Sequence, residues 1–153
     1  MRILKATKNS ILTASRIVMK GGLVVYPTET VYGLGCDPFN MGAVKRVFEV
    51  KGKRRKPPPI LASSINHVKQ IAFMSQEGEK VAKKFWPGPL TLVFPKKLVL
   101  PDFVTCNLDS VGVRIPKHDV ALRLISLSNG LLIGTSANRT GEKPPRTVHE
   151  ATQ

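Results

Sequence analysis

Cysteines, histidines, acidic residues and aromatics are all scarce in this chain of 153 residues. The two cysteines, Cys36 and Cys106, have no CxxC spacing, so they read as free thiols and not as a redox pair. His67, His118 and His149 are scattered without metal-ligand spacing, and no structural metal is expected. No apolar run approaches the roughly 20 residues that cross a bilayer. The apolar stretch after Met1 is too short for a signal peptide. A soluble, cytoplasmic protein without a membrane partner is expected. Three sequence signatures are also missing: the G-x-x-x-x-G-K-[ST] phosphate loop, the G-x-G-x-x-G fingerprint and the G-x-S-x-G nucleophile elbow. No Ser, His and Asp order suggests an activated nucleophile. An enzyme made from this sequence would work by positioning charged substrates.

The charge balance is the strong compositional signal. There are 24 Lys and Arg against 10 Asp and Glu, a formal net charge of +14. Such a chain attracts phosphorylated ligands or nucleic acid. The densest run is Lys51, Lys53, Arg54, Arg55 and Lys56, closed by Pro57-Pro58-Pro59. Its alternative reading is a solvated charge run.

Strands and helices alternate along the chain. The pattern predicts strands at 2–6, 23–26, 60–62, 90–94, 111–115 and 131–134. It predicts helices from Ser10 to Lys20, from Asn40 through Val50, from Ser64 to Phe73, from Ser75 to Phe85 and from Asp119 to Ser128. The expected apolar stripe of the second helix is Met41, Val44, Val47 and Phe48. There is no internal repeat or domain boundary. The class is α/β with a mixed sheet.

Two hydroxyl-rich segments follow buried strands, where α/β proteins place ligands. In the first, Thr28, Thr30 and Tyr32 each offer a donor and an acceptor. Glu29 is placed to contact an amino group, and Gly33 and Gly35 read as positions of close approach or positive φ. In the second, Ser136 and Asn138 suit a phosphate, ribose or adenine, or else cap a helix. Lys51, Lys53 and Arg54 sit between a helix end and a proline-fixed strand. They either aim at phosphates or a carboxylate, or complement the helix dipole. Arg114 interrupts an apolar strand that begins near Ser110, and alternation turns it away from Val113 and Ile115. It either lines a cleft or is exposed. Thr91 follows the rigid turn Trp86-Pro87-Gly88-Pro89 as a ligand hydroxyl or an ordinary strand residue. Trp86 reads as a core anchor.

Four segments occur in order: Tyr26-Pro27-Thr28-Glu29-Thr30-Val31-Tyr32-Gly33-Leu34, Trp86-Pro87-Gly88-Pro89-Leu90-Thr91, Val113-Arg114-Ile115-Pro116 and Thr135-Ser136-Ala137-Asn138. Together they resemble the YrdC-like (YrdC/YciO) family of threonylcarbamoyl-AMP synthases, from about Gly22 to Gly141. The resemblance implies a twisted mixed α/β sheet with flanking helices around an open basic cavity. Residues 1–153 would form one such domain, short at its C-terminus, because family members continue through a further helix and strand. The resemblance also implies conversion of L-threonine, bicarbonate and ATP, with Mg²⁺ accompanying the ATP, to threonylcarbamoyl-AMP and pyrophosphate. A separate transferase would then modify tRNA. Thr30 would contact threonine, and Lys51 with Lys53 or Arg54 would hold the carboxylate and phosphates. Thr91 would contact the nucleotide, and Ser110, Arg114, Ser136 and Asn138 would line the same cavity. The family's Lys-x-Arg pattern reads Lys51-Gly52-Lys53-Arg54 here, which leaves Lys53 or Arg54 in the Arg place. Two alternatives stand beside the synthase. One is a protein that binds tRNA or double-stranded RNA. The other is a nucleotide-binding relative without synthase activity.

Overall fold

The computed structural model describes residues 2–52 and 56–152. In chain order the helices are α1 (Lys8–Met19), α2 (Met41–Lys51), α3 (Ile65–Ile71), α4 (Gln76–Phe85) and α5 (Asp119–Leu127). The strands are β1 (Val24–Tyr26), β2 (Gly33–Gly35), β3 (Ile60–Ala62), β4 (Leu92–Pro95), β5 (Ser110–Arg114), β6 (Leu131–Ile133) and β7 (Thr135–Ser136). The expected α/β class and mixed sheet are present, but the strands divide between two sheets. A three-stranded sheet has the order β1-β2-β7, and a four-stranded sheet the order β4-β5-β3-β6. In the second, β3 and β5 run parallel while the other neighbours are antiparallel. Among the described residues no helix is long and apolar enough to cross a membrane.

Local chemistry explains the helix starts. Asn40, Ser64 and Ser75 cap α2, α3 and α4 through their side-chain oxygens, as expected. α1 begins earlier than its apolar pattern suggests. Thr7 is the cap, and Ser10 Oγ accepts from the Thr7 N–H at 2.8 Å, which completes a capping box. The buried stripe of α2 is Ala43, Val44, Val47 and Lys51. Met41, assigned to that stripe from sequence, is instead 64% exposed, while Ala43 on the neighbouring helix face is buried. α5 is preceded by His118 at the cap position, and Asp119 is its first residue and not its cap.

Two strands of the second sheet, β3 and β6, are covered on both faces. Ile60, Ala62, Leu131 and Ile133 join one core cluster with Val44, Val47 and Val113. The residues between them, Leu61 and Leu132, join a second cluster with α1 and α5. That alternation is why both strands read as unbroken apolar runs. The expected strand at 2–6 does not form. Ile3 and Leu4 there are exposed, and no sheet edge among the described residues pairs with this segment.

The two sheets meet where β6 passes into β7 through Gly134. Gly35 faces this passage. A Cβ on Gly35 would lie 2.6 Å from the Ile133 carbonyl oxygen and 2.8 Å from Tyr26 Cε1. The Ile133 N–H donates to the Cys36 carbonyl at 2.9 Å, and the Gly134 N–H to the Pro59 carbonyl at 2.9 Å. Gly33 and Gly35, expected to approach a ligand or adopt positive φ, instead form β2 and leave room for the Tyr26 ring. Gly35→Ala should therefore destabilise the protein by about 1–3 kcal/mol through overpacking, read as a lower urea midpoint. An unchanged midpoint would mean that this contact yields freely.

Candidate functional site

Tyr26 ends β1 and Pro27 stops the strand. The next turn is organised by one hydroxyl. Thr28 Oγ1 accepts from the Thr30 and Val31 N–H groups at 3.3 and 3.2 Å and donates to the Val31 carbonyl at 2.6 Å. Thr28 is thus occupied in shaping the loop. Thr30 is left exposed, its hydroxyl 3.0 Å from that of Thr28. Tyr32 belongs to a different neighbourhood, where its N–H donates to the Pro145 carbonyl at 2.8 Å and its carbonyl accepts from Ala137 at 2.9 Å.

A narrow cleft of about 60 Å³ opens along the junction between the sheets. Thr30, Thr91, Arg114 and Ser136, all singled out from sequence, line it together with Thr28 and Tyr26. They come from the loop after β1, the entry to β4, the end of β5 and β7. Ser110 stands at the other end of β5, paired with Pro95 and about 13 Å along the strand from Arg114 at normal strand rise. It does not line this cleft.

Among the described residues, Arg114 is the charged side chain of the cleft lining. Its position follows from strand alternation, with Val111, Val113 and Ile115 buried on the opposite face. The side chain is nevertheless only 14% exposed. Its Nε donates to the Gly88 carbonyl at 2.9 Å, and its Nη2 lies 2.7 Å from Glu29 Oε1. That second contact is a short ion pair, and among the described residues no other protein group meets Nη2. Glu29 Oε1 also accepts from the Lys117 N–H at 2.9 Å. Sequence reasoning missed the Gly88 carbonyl and the Lys117 N–H, because main-chain partners carry no residue-type signal.

Lys51 and Asn138 sit beyond β7. Lys51 is buried in the last turn of α2, and its Nζ donates to the Ser136 carbonyl at 2.7 Å and to the Asn138 carbonyl. Its own carbonyl accepts from the Thr140 N–H at 3.0 Å. Asn138 uses its Nδ2 to close the following loop onto the Arg139 and Glu142 carbonyls at 2.9 and 2.7 Å. No helix follows Ser136 and Asn138, so the expected capping role is absent. Both Lys51 and Asn138 border a second, larger groove of about 1600 Å³ that runs between residues 2–6, α1 and the segment after β7. The other two basic candidates, Lys53 and Arg54, lie outside the described residues.

Cys36 is buried and its thiol is pushed up to about 12, first by burial and then by Asp37. It is an inert packing residue, whereas Cys106 is an exposed free thiol. Burial also raises the Tyr26 hydroxyl, with Arg114 opposing the shift. Tyr26 therefore contributes a neutral phenol to the cleft. Among the described residues, no group of three His, Cys, Asp or Glu could hold a metal ion.

A model of the Sua5/YciO/YrdC family, described as telomere recombination, matches residues 16–153. A threonylcarbamoyl-AMP synthase of Pyrococcus abyssi is 44% identical over 142 residues, which are 92% of this chain and 42% of the relative. One from Halorhodospira halophila is 39% identical over 139 residues, 90% of this chain and 73% of the relative. The chain thus spans less than half of the Pyrococcus protein. Among solved structures, P. abyssi Sua5 complexed with L-threonine has a TM-score of 0.91 at 41% identity, covering 99% of this chain and 44% of that one. E. coli YciO has a TM-score of 0.82 at 22% identity, covering 89% and 67%, a likeness of fold alone.

The ionisation of Glu29 gives the site a pH signature. Burial by itself would raise this carboxyl, but the Lys117 N–H and the Arg114 guanidinium outweigh it and hold it below 4.5. A lowered folded-state value adds stability that is complete above the unfolded-state value and is lost as pH falls through the folded one. Glu29→Gln should remove that part of the acid limb while leaving stability above pH 6 flat with pH. Urea midpoints from pH 3 to pH 7 check this, and identical acid limbs in both proteins would refute it.

Proposed function

The chain belongs to the Sua5/YciO/YrdC family, and from that membership we propose that it makes threonylcarbamoyl-AMP from L-threonine, bicarbonate and ATP, releasing pyrophosphate. The observation that carries the proposal is the grouping of Thr30, Thr91, Arg114 and Ser136 around one cleft, with the Arg114 guanidinium anchored by Gly88 and Glu29. These residues are far apart in sequence. A cleft with three hydroxyls and one oriented cation suits a small polar anion. The Pyrococcus relative of known structure, which carries L-threonine, supports the same substrate here.

In the proposed reaction the threonine nitrogen forms a bond to the bicarbonate carbon, and water leaves. The carbamate oxygen then attacks the α-phosphorus of ATP, and pyrophosphate departs. The protein's contribution is positioning and charge stabilisation. Thr30 would hydrogen-bond threonine, Arg114 would neutralise an anionic oxygen, and Thr91 and Ser136 would contact the nucleotide. Lys51 and Asn138 would set the loop that carries Ser136, since Lys51 Nζ holds the main-chain carbonyls on both sides of Ala137. Lys53 or Arg54 would add the remaining positive charge. Mg²⁺ would arrive with ATP, screening its phosphates. The product would pass to a separate transferase acting on tRNA, and the +14 charge supports an encounter with RNA.

Pyrophosphate release should require L-threonine, bicarbonate and ATP together. Release that persists without threonine or bicarbonate would reject the synthase reading. Arg114→Ala should weaken ligand binding about 10- to 100-fold, the usual worth of a charged hydrogen bond. Calorimetric titration measures this, and circular dichroism checks that the variant is folded.

A further inference from the structure

We propose that Glu29 is a positioning residue that fixes the Arg114 guanidinium in the cleft, and does not itself bind a substrate ammonium. The proposal deepens the synthase reading and rests on it for the identity of the ligand. Thr28 ties the turn to its own backbone, which leaves Glu29 pointing across the junction between the sheets. There one oxygen, Glu29 Oε1, serves both the Lys117 N–H at 2.9 Å and Arg114 Nη2 at 2.7 Å. The carboxylate is therefore already engaged from two sides, by the segment after β5 and by the end of β5 itself. Both side chains of the pair are largely shielded, at 14% and 20% exposure.

Gly88 supplies the second anchor. Its carbonyl accepts from Arg114 Nε at 2.9 Å, and its own N–H donates to the Ile115 carbonyl at 2.8 Å. The turn Trp86-Pro87-Gly88-Pro89 is itself closed by Trp86 Nε1 donating to the Leu90 carbonyl at 2.7 Å. A carbonyl at Nε and a carboxylate at Nη2 fix the plane of the guanidinium. An Arg reads carboxylates and phosphates through the geometry of its planar fork, so the orientation of that plane governs affinity. A preset plane spares the ordering cost on binding. Removing the charge of Glu29 leaves the Gly88 bond as a single pivot, and the guanidinium can turn about it.

The ligand oxygen that Arg114 meets is an anionic one, from the threonine carboxylate or from a nucleotide phosphate. Titrations with L-threonine and with a non-hydrolysable ATP analogue separate these sources. Glu29→Gln should weaken one or both about 10-fold, and Glu29→Asp should recover part of that loss. The decisive comparison is a double-mutant cycle. If Glu29 acts through Arg114, the double variant Glu29→Gln with Arg114→Ala binds no more weakly than Arg114→Ala alone. Additive losses, or an unchanged Glu29→Gln, would overturn the proposal.

A readout without ligand keeps this test apart from the synthase reading. The Arg114 Nε–H resonance, assigned by its disappearance in Arg114→Ala, should be sharp in the wild type. It should be broadened or faster in solvent exchange in Glu29→Gln. An unchanged resonance in folded Glu29→Gln overturns the positioning role even if threonine binds. Wild-type protein that binds neither ligand removes the synthase reading, while the resonance still decides the role of Glu29. Should Glu29→Gln fail to fold, Glu29→Ala carries the same measurement, because it removes the carboxylate that faces Nη2.

Discussion

The close approach of the two sheets at Gly35 and Gly134 is the constraint on which the site depends. β6 delivers the chain to β7 at a point where Gly35 has no space for a Cβ and Gly134 packs against Leu61. Because these backbones touch, the ends of β1, β3, β5 and β7 fall around a single narrow cleft. Small residues at the contact leave the Tyr26 ring to cover the glycines of β2. Burial keeps its hydroxyl protonated, so Tyr26 brings no charge to the cleft. An ionic interaction at its mouth is thereby less screened than it would be in water.

The Glu29–Arg114 pair is best understood as an orienting device and not as a source of stability. Largely desolvated pairs return little net free energy, because the cost of leaving water consumes much of the attraction. Here the main chain offsets part of that cost, through the Gly88 carbonyl on the cation and the Lys117 N–H on the anion. Lys51 follows the same logic. Its buried Nζ meets carbonyl oxygens around Ala137, so one cation of the basic run is used in holding the strand end. Local charge density in the sequence is therefore a poor count of ligand-facing charge.

What the sequence disclosed follows from which signals are local. Asn40, Ser64 and Ser75 announce helix starts because each accepts from an N–H three residues ahead. The face occupied by Arg114 follows from the pleat. β2 and β7 were illegible, since Gly-Leu-Gly and Thr-Ser carry no strand signal and pair only because Tyr26 and Val25 of β1 supply a register. The segment at 2–6 shows the converse, with apolar residues but no edge to join. In the site, Thr28, Thr30 and Ser136 of the hydroxyl-rich segments line the cleft, while Tyr32 and Asn138 do not. The division of labour within them was not readable. Thr28 shapes the loop while Thr30 faces the cleft, a distinction made by backbone geometry. The pairing of Glu29 with Arg114 spans most of the chain and leaves no trace in linear spacing.

The pairing of Arg114 also bears on the choice between a small substrate and RNA. Affinity for nucleic acid grows with the number of phosphates met by cations that displace counterions. The one charged side chain lining the cleft, among the described residues, already faces a carboxylate at 2.7 Å. The pair carries no net charge and gives a polyanion little electrostatic reward. An anion gains at this place through direction, by meeting a guanidinium whose plane the Gly88 carbonyl and Glu29 already set. That condition favours a small carboxylate or a single phosphate able to enter a narrow cleft. The surplus of basic residues lies elsewhere on the chain, so an RNA contact, if formed, belongs to another surface and would be the salt-sensitive one.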